Sequence, residues 1–281
     1  MADLAVLGAI GIVIGLVLGL TGAGGSILAV PLLMAGMGWS LVSAAPVALI
    51  AVFASASVGA WSAWRRGIVR YRAALLMATL GLLLAPAGLA AARWLPVLPL
   101  TLAFAVILAV VALRLWRQAR QAPADTAVVR AALPAEQRAQ GEPLCKLSPH
   151  SGRLIWTRPC MAVMALCGAA TGVLSGLFGV GGGFVIVPAL RAVTDLSMAA
   201  AVATSLLAIA LISGGTLAIA VTQGFAAPLP LALLFACAAI AGMMLGRTLA
   251  PRIGGPRLQQ GFSLLMLLAA LGIAVDAWGS I

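Results

Sequence analysis

A glycine-rich block occurs twice in this chain and constrains its fold more than any other feature. Residues 19–33 read GLTGAGGSILAVPLL, and residues 176–190 read GLFGVGGGFVIVPAL. At a constant offset of 157, eight of the fifteen positions are identical. Each copy interrupts a long apolar run with glycines and then places a proline. In membrane proteins, paired interruptions at matching positions of two halves indicate a substrate site.

Composition restricts the chain to a lipid environment. Its residues are 63% hydrophobic and only 8% charged, whereas about a quarter of the residues in a soluble domain are charged. A net charge of +11 is also found in proteins that bind nucleic acid. Here, however, the Lys and Arg residues lie between apolar runs, as in the cytoplasmic loops of membrane proteins. The predicted partner is therefore the lipid bilayer, with no nucleic acid.

The apolar runs predict an all-α integral membrane protein with two related halves of about four hydrophobic segments each. Residues 1–116 form the first membrane repeat, 117–158 a polar, basic cytoplasmic loop, and 159–281 the second repeat. The first segment of each half is broken by the glycine block, and most segments are near the ~20 residues that a spanning helix needs. The predicted segments are 4–36, 40–64, 73–92, 97–116, 159–193, 196–222, 229–250 and 258–278.

The distribution of cations predicts how the broken segments run. If every segment crossed the membrane once, with residues 65–72 and the central loop in the cytoplasm, five of the seventeen cations would lie outside. If each broken segment enters and returns on the same side, only Arg93 lies outside, which satisfies the positive-inside rule better. Each half then crosses three times, which predicts an inverted repeat. Allowing a three-residue gap, Arg93 aligns with Arg247.

Two GLxGxGGxxxxVPxL blocks, together with an AGxxxxR element late in each half, resemble the TauE/SafE sulfite-exporter family. The resemblance covers both halves but not the loop 117–158. It implies a plasma-membrane permease for a small sulfur-containing anion such as sulfite, a sulfonate or thiosulfate. Because an inside-negative potential assists the outward movement of an anion, we expect export. The alternatives are a transporter of another small anion or metabolite and a membrane accessory subunit that transports nothing.

The predicted substrate site is a cradle of backbone N–H groups at the two breaks, because a half-helix that starts after the glycines presents unpaired donors and its positive dipole end to an anion. Hydroxyls in the following segments are expected to add donors, although small polar residues are also common contacts between membrane helices. The glycines, likewise, have tight helix packing as their alternative role. The candidate residues are Thr21, Gly22, Gly24, Gly25, Ser26, Gly179, Gly181, Gly182, Gly183, Ser55, Ser57, Thr204, Ser205, Ser213 and Thr216.

The segments carry no set of residues that predicts catalysis. The only histidine, His150, lies in the polar loop, and no carboxylate pair or metal-ligand spacing occurs. We therefore predict no enzyme activity, no cofactor and no metal site. Cys160 and Cys167 are seven residues apart and share a helical face, which fits either a thiol pair or, as we favour, two small buried residues.

Overall fold

The computed structural model describes residues 2–22, 24–121, 145, 156–194, 196–223, 229–253 and 256–279. Almost all of them are helical. In chain order the helices are α1 (Ala2–Thr21), α2 (Gly24–Met37), α3 (Leu41–Arg65), α4 (Tyr71–Trp94), α5 (Val97–Gln121), α6 (Arg158–Phe178), α7 (Gly183–Val193), α8 (Met198–Thr222), α9 (Leu229–Ile253) and α10 (Pro256–Gly279).

The predicted segments are confirmed to within three residues at most of their ends. Each of the two broken segments is a pair of helices, and each unbroken segment is one helix. Among the described residues, seven helices are long and apolar enough to cross a membrane. The all-α membrane fold predicted from composition is thus confirmed. Of the predicted loop 117–158, only 117–121, Cys145 and 156–158 lie within the described residues.

The first broken segment is a helical hairpin. Gly25, early in α2, packs against Ile14 and Leu18 of α1, and Gly36, near the end of α2, packs against Ile10. The two helices are therefore antiparallel, and the chain returns to the side from which it came. With 20 residues, α1 is about 30 Å long, so the hairpin reaches deep into the protein before it turns.

The second broken segment is a hairpin whose two ends are tied together. A disulfide joins Cys145 to Cys160 near the start of α6, and the Cys145 N–H donates to the carbonyl of Val193 at the end of α7, with a distance of 2.9 Å. We call this arrangement the cysteine clamp. It corrects the favoured interpretation of Cys160 as an unpaired small residue. Cys167, its expected neighbour, is a free, half-buried thiol.

Tight glycine seams join the two halves. One face of α1 lies directly on the backbone of α9, and one face of α6 lies directly on the backbone of α4. Because glycine has no Cβ, helix backbones approach closely at such seams. The seam residues are Gly11, Gly15 and Gly19 in α1, and Gly168, Gly172 and Gly176 in α6. Gly19 and Gly176, which open the repeated blocks, thus serve helix packing.

The seams also fix the register between the repeats and correct the predicted alignment of two arginines. Gly15 meets Ala239, whereas its repeat counterpart Gly172 meets Gly81. Positions in α4 and α9 therefore correspond at an offset of 158. At that offset Arg93 corresponds to position 251 and not to Arg247, which lies about one helical turn deeper in its helix.

Both arginines bind the backbone of the opposite half. Arg93 donates through Nη2 to the carbonyl of Gln223 at 3.2 Å. Arg247 donates through Nη1 to the carbonyl of Gly59 at 3.0 Å and to the hydroxyl of Ser62. These bonds hold α4 against the end of α8 and α9 against α3, so both side chains have a structural partner already.

Candidate substrate site at the second glycine turn

The first glycine turn carries a side-chain cap. Thr21, the last residue of α1, donates its hydroxyl to the carbonyl of Val17 at 2.8 Å and accepts the N–H of Gly24 at 2.9 Å. A hydroxyl that accepts an N–H at the start of a helix is an ordinary N-terminal cap. Gly22 provides the turn with φ of 78°. The Thr21 hydroxyl therefore occupies one backbone donor at the start of α2.

The second glycine turn has no such cap. Phe178 occupies the position that corresponds to Thr21, and three glycines in the left-handed region, Gly179, Gly181 and Gly182, make the turn. Gly182 precedes α7 and no side chain accepts a hydrogen bond from the helix start there. The first N–H groups of a helix have no partner within its earlier turns. The Val185 N–H donates to the Gly182 carbonyl at 3.1 Å, which leaves the N–H groups of Gly183 and Phe184 as the candidate donors at the start of α7.

Two buried hydroxyls flank this uncapped turn. Thr171 of α6 contacts Gly182 through its methyl group and backbone, and the Ser213 hydroxyl oxygen of α8 lies against Gly181. Both side chains are fully buried, and neither hydroxyl has a hydrogen-bond partner in the described structure. An unpaired buried hydroxyl costs about 1–3 kcal/mol, so a ligand that pairs with both hydroxyls would recover that cost. We call the turn and these two hydroxyls the second cradle.

A second pair of buried hydroxyls extends the second cradle. Ser175 of α6 donates to Thr216 of α8 at 3.4 Å, and both side chains are fully buried. The two helices that flank the turn thus contribute four hydroxyls in two layers. In the first repeat, none of the four corresponding positions carries a hydroxyl. Thr171 corresponds to Ile14, Ser175 to Leu18, Ser213 to Ala56 and Thr216 to Gly59.

The second cradle has the chemistry of a site for a small anion. Backbone N–H groups at a helix start, aligned with the helix dipole, favour negative charge, and hydroxyls add donors without adding a competing charge. None of the residues that form it is ionisable. Within the described residues, no group of three His, Cys, Asp or Glu side chains is placed to hold a metal ion.

The remaining candidates are only partly brought together. Gly183 begins α7 and belongs to the second cradle, and Gly24, Gly25 and Ser26 begin α2 at the first turn. The hydroxyls predicted to face the same cavity from α3 and α8 are satisfied by their own helices, except those of Ser213, which has no partner, and Thr216, which accepts from Ser175. Ser55 donates to Ala51 at 2.6 Å, Ser57 to Phe53 at 2.6 Å, Thr204 to Ala200 at 2.7 Å and Ser205 to Val202 at 2.8 Å.

The sequence prediction missed Thr171 and Ser175 because it searched the segments that follow the glycine blocks. Both residues precede the block, on α6. A comparison of the residues before the two blocks, IGLVL at 14–18 with TGVLS at 171–175, carries the signal, since hydroxyls replace aliphatic side chains in the second copy.

In the part of the chain that the structure describes, seven helices are long and apolar enough to span a membrane, as expected for a multi-pass membrane protein. The model of the family described as sulfite exporter TauE/SafE matches residues 7–273, and the chain belongs to this family. It is thus a multi-pass protein of the plasma membrane, and the resemblance stated from the repeated blocks is confirmed.

Two relatives carry the printed name "probable membrane transporter protein". The chain is 32% identical to that of Xylella fastidiosa strain 9a5c, over 95% of this chain and 94% of the relative. It is 30% identical to that of strain Temecula1 / ATCC 700964, with the same coverage of both chains. No solved structure matches the chain significantly.

Proposed function

We propose that this transporter moves a small sulfur-containing anion, such as sulfite, a sulfonate or thiosulfate, and binds it in the second cradle. The observation that carries the proposal is the pair of buried, unpartnered hydroxyls beside the uncapped start of α7. An oxyanion has several acceptor oxygens, and the second cradle offers several donors with no carboxylate among its residues. The family description supports the sulfur chemistry of the substrate.

Export is the direction that the membrane potential favours. With the inside negative, outward movement of a monovalent anion gains about 2.3 kcal/mol per 100 mV. No carboxylate lies in the interior of the predicted segments, so a proton-coupled carboxylate relay is not required by this proposal. The substrate gradient and the potential then supply the driving force.

We infer further that residues 1–116 and 159–281 are inverted copies joined by the loop 117–158. Two contacts support this inference: Gly22 of the first turn packs on Val202 of α8, and Gly179 of the second turn packs on Ala45 of α3. These contacts are reciprocal at the repeat offset of 157. Contacts also run in opposite order along α3 and α8, since Gly59 meets Leu206 and Phe53 meets Gly214, as expected for inverted halves.

One observation opposes a cytoplasmic placement of the loop. Disulfides persist mainly outside the cytoplasm, and the cysteine clamp begins inside the loop. A reporter fused after Ile281 decides the orientation, because the inverted arrangement with a cytoplasmic loop places that terminus outside. A cytoplasmic reporter signal would refute this topology.

Anion flux into proteoliposomes tests the proposed substrate and site together. Purified protein is assayed with sulfite, thiosulfate, a sulfonate, sulfate and chloride. Thr171→Val and Ser213→Ala are each expected to raise the KM for the sulfur anion at least about tenfold, because hydrogen bonds to charged groups contribute about 1.5–3 kcal/mol. Thr101→Val is the matched control, since Thr101 is buried but donates to Val97 in its own helix.

The outcomes separate the proposal from its alternatives. Flux of another anion or metabolite with the same sensitivity to Thr171→Val would keep the site and replace the substrate class. Flux that is reduced equally by Thr171→Val, Ser213→Ala and the control Thr101→Val would refute the proposal that the substrate binds in the second cradle. No flux of any solute by correctly folded protein would favour the accessory-subunit alternative.

A further inference from the structure

A groove open at the protein surface lies between α3 and α8, and none of its lining residues belongs to the second cradle. Its volume is about 440 Å³, and its walls include Phe53, Trp61, Trp64 and Leu211. Ser57 also lines the groove, but its hydroxyl is bonded to the Phe53 carbonyl. The walls therefore present an apolar surface, which suits a hydrocarbon chain and offers nothing to a small anion.

The groove leads from the middle of α3 to a cluster of positive charge at the end of that helix. Trp64 is followed directly by Arg65 and Arg66, and the Arg65 guanidinium lies 5.0 Å from the centre of the Trp61 ring. Trp61 and Trp64 are each more than half exposed. Exposed tryptophans beside cations are typical of the level of the lipid headgroups.

Residues 65–72, which we call the arginine loop, contain Arg65, Arg66, Arg70 and Arg72 and are fastened beside the mouth of the groove. Val69 packs with Ala63 and Ala203, and Leu207, which lines the groove, packs against this cluster. The backbone N–H of Arg70 donates to the hydroxyl of Thr204 on α8 at 3.1 Å. The backbone of the arginine loop is therefore held next to Leu207, one of the residues that line the groove.

The positive cluster has no acidic residue near it in the sequence. Residues 4–124, which include the whole arginine loop and its two flanking helices, contain no Asp or Glu. The Arg70 Nε is buried and has no hydrogen-bond partner in the described structure. Arg247 lies close enough to Arg66 for their charges to repel. An anion from outside the chain would relieve this repulsion.

We propose that the groove and the arginine loop together form a binding site for one anionic phospholipid. The acyl chain fills the groove along Trp64, Trp61 and Phe53, while the phosphate contacts Arg65, Arg66 and Arg70. Each arginine near the surface of an anionic leaflet attracts the negatively charged lipids, and the groove buries the apolar acyl chain of the bound phospholipid. This site is independent of the transported substrate.

Lipid retention by the purified protein tests this proposal. Protein extracted in a mild detergent is titrated with phosphatidylglycerol or phosphatidylcholine, and bound lipids are counted by native mass spectrometry. The expected result is one retained phosphatidylglycerol per chain. Arg65→Gln with Arg66→Gln is expected to reduce the preference for phosphatidylglycerol over phosphatidylcholine about tenfold or more.

A second variant addresses the groove itself. Leu211→Trp places a large ring in the groove and is expected to abolish retention of both lipids. The matched controls are Leu268→Trp, on another lipid-facing surface, and Arg114→Gln with Arg117→Gln, which removes two cations from α5. Both controls are expected to retain lipid as the unmodified protein does, and thermal melting of every variant checks its fold.

The contrary outcomes are distinct. Equal loss of lipid in the controls, or equal retention in all variants, would overturn a specific site. If delipidated protein binds inorganic phosphate, and the Arg65→Gln, Arg66→Gln variant does not, the arginine cluster is a site for free anions and not for a phospholipid. A dimer that Leu211→Trp converts to a monomer would reassign the groove to a second copy of the chain.

Discussion

The two glycine turns have similar sequences but differ in which of their polar groups have hydrogen-bond partners. In the first, Thr21 occupies the backbone donor of Gly24, and the residues behind the turn, Ile14 and Ala56, are apolar. In the second, Phe178 supplies no cap and the corresponding residues, Thr171 and Ser213, carry unpaired hydroxyls. A repeat can thus keep one copy as a structural support and leave the other incomplete for a ligand.

The largest expected effect concerns the backbone of the second turn. Gly182 has φ of 62°, and a Cβ there would collide with Thr171, so Gly182→Ala is expected to prevent folding or abolish flux. Gly38→Ala is the control, because Gly38 has a similar φ of 64° but open space around its Cβ position. That change is expected to cost only about 1–2 kcal/mol; both are measured by melting temperature and flux.

Equal losses at Gly38 and Gly182 would mean that conformation alone, and not close packing against Thr171, makes glycine necessary at the second turn.

A smaller effect is expected from the cysteine clamp, which only the second hairpin has among the described residues. Cys145→Ser is expected to lower stability by about 3 kcal/mol, since the disulfide closes a loop of 15 residues. Reduction with dithiothreitol is expected to lower the melting temperature of the native chain to that of the variant. Cys167→Ser, which removes a free thiol, serves as the control.

If reduction leaves the melting temperature of the native chain unchanged, the clamp does not hold the second hairpin, and the two hairpins differ only at their turns.

The smallest expected effects have opposite signs at the two turns. Thr21→Val removes a helix cap and is expected to cost about 1 kcal/mol of stability. Thr171→Val removes an unpaired buried hydroxyl, so it is expected to leave the stability of the ligand-free protein unchanged or to raise it slightly. The free energy of unfolding of both variants is measured without substrate. Equal destabilisation would contradict the proposal that the first turn is structural and the second binds substrate.

The fold was predictable because its signals are local or periodic. Long apolar runs specify the helices, and the doubled block marks the two breaks. The site was only partly predictable. Ser213 was identified by its residue type, but Ser55 has the same type and bonds to Ala51 in its own helix. Which hydroxyl remains unpaired depends on how the helices pack against one another, and this packing cannot be read from a single sequence.

Two further features were hidden for similar reasons. The disulfide joins Cys160 to a residue in the polar loop, and no local spacing distinguishes Cys145 from Cys167 as its partner. The register of the seams was misjudged because the AGxxxxR element suggested an alignment, whereas packing of Gly15 on Ala239 sets another. In both cases the deciding contact is distant in sequence.

The glycine seams between halves have a consequence for synthesis of the chain. Helix α1 is made first, yet the surface it packs on belongs to α9, and Gly15 meets Ala239 only after more than 200 further residues have been added. At about 5–20 residues per second, the first helix waits on the order of ten to forty seconds in the bilayer for its neighbour. During that interval its glycine face is open to other helices, so newly made protein is most vulnerable to mispairing before the second half emerges.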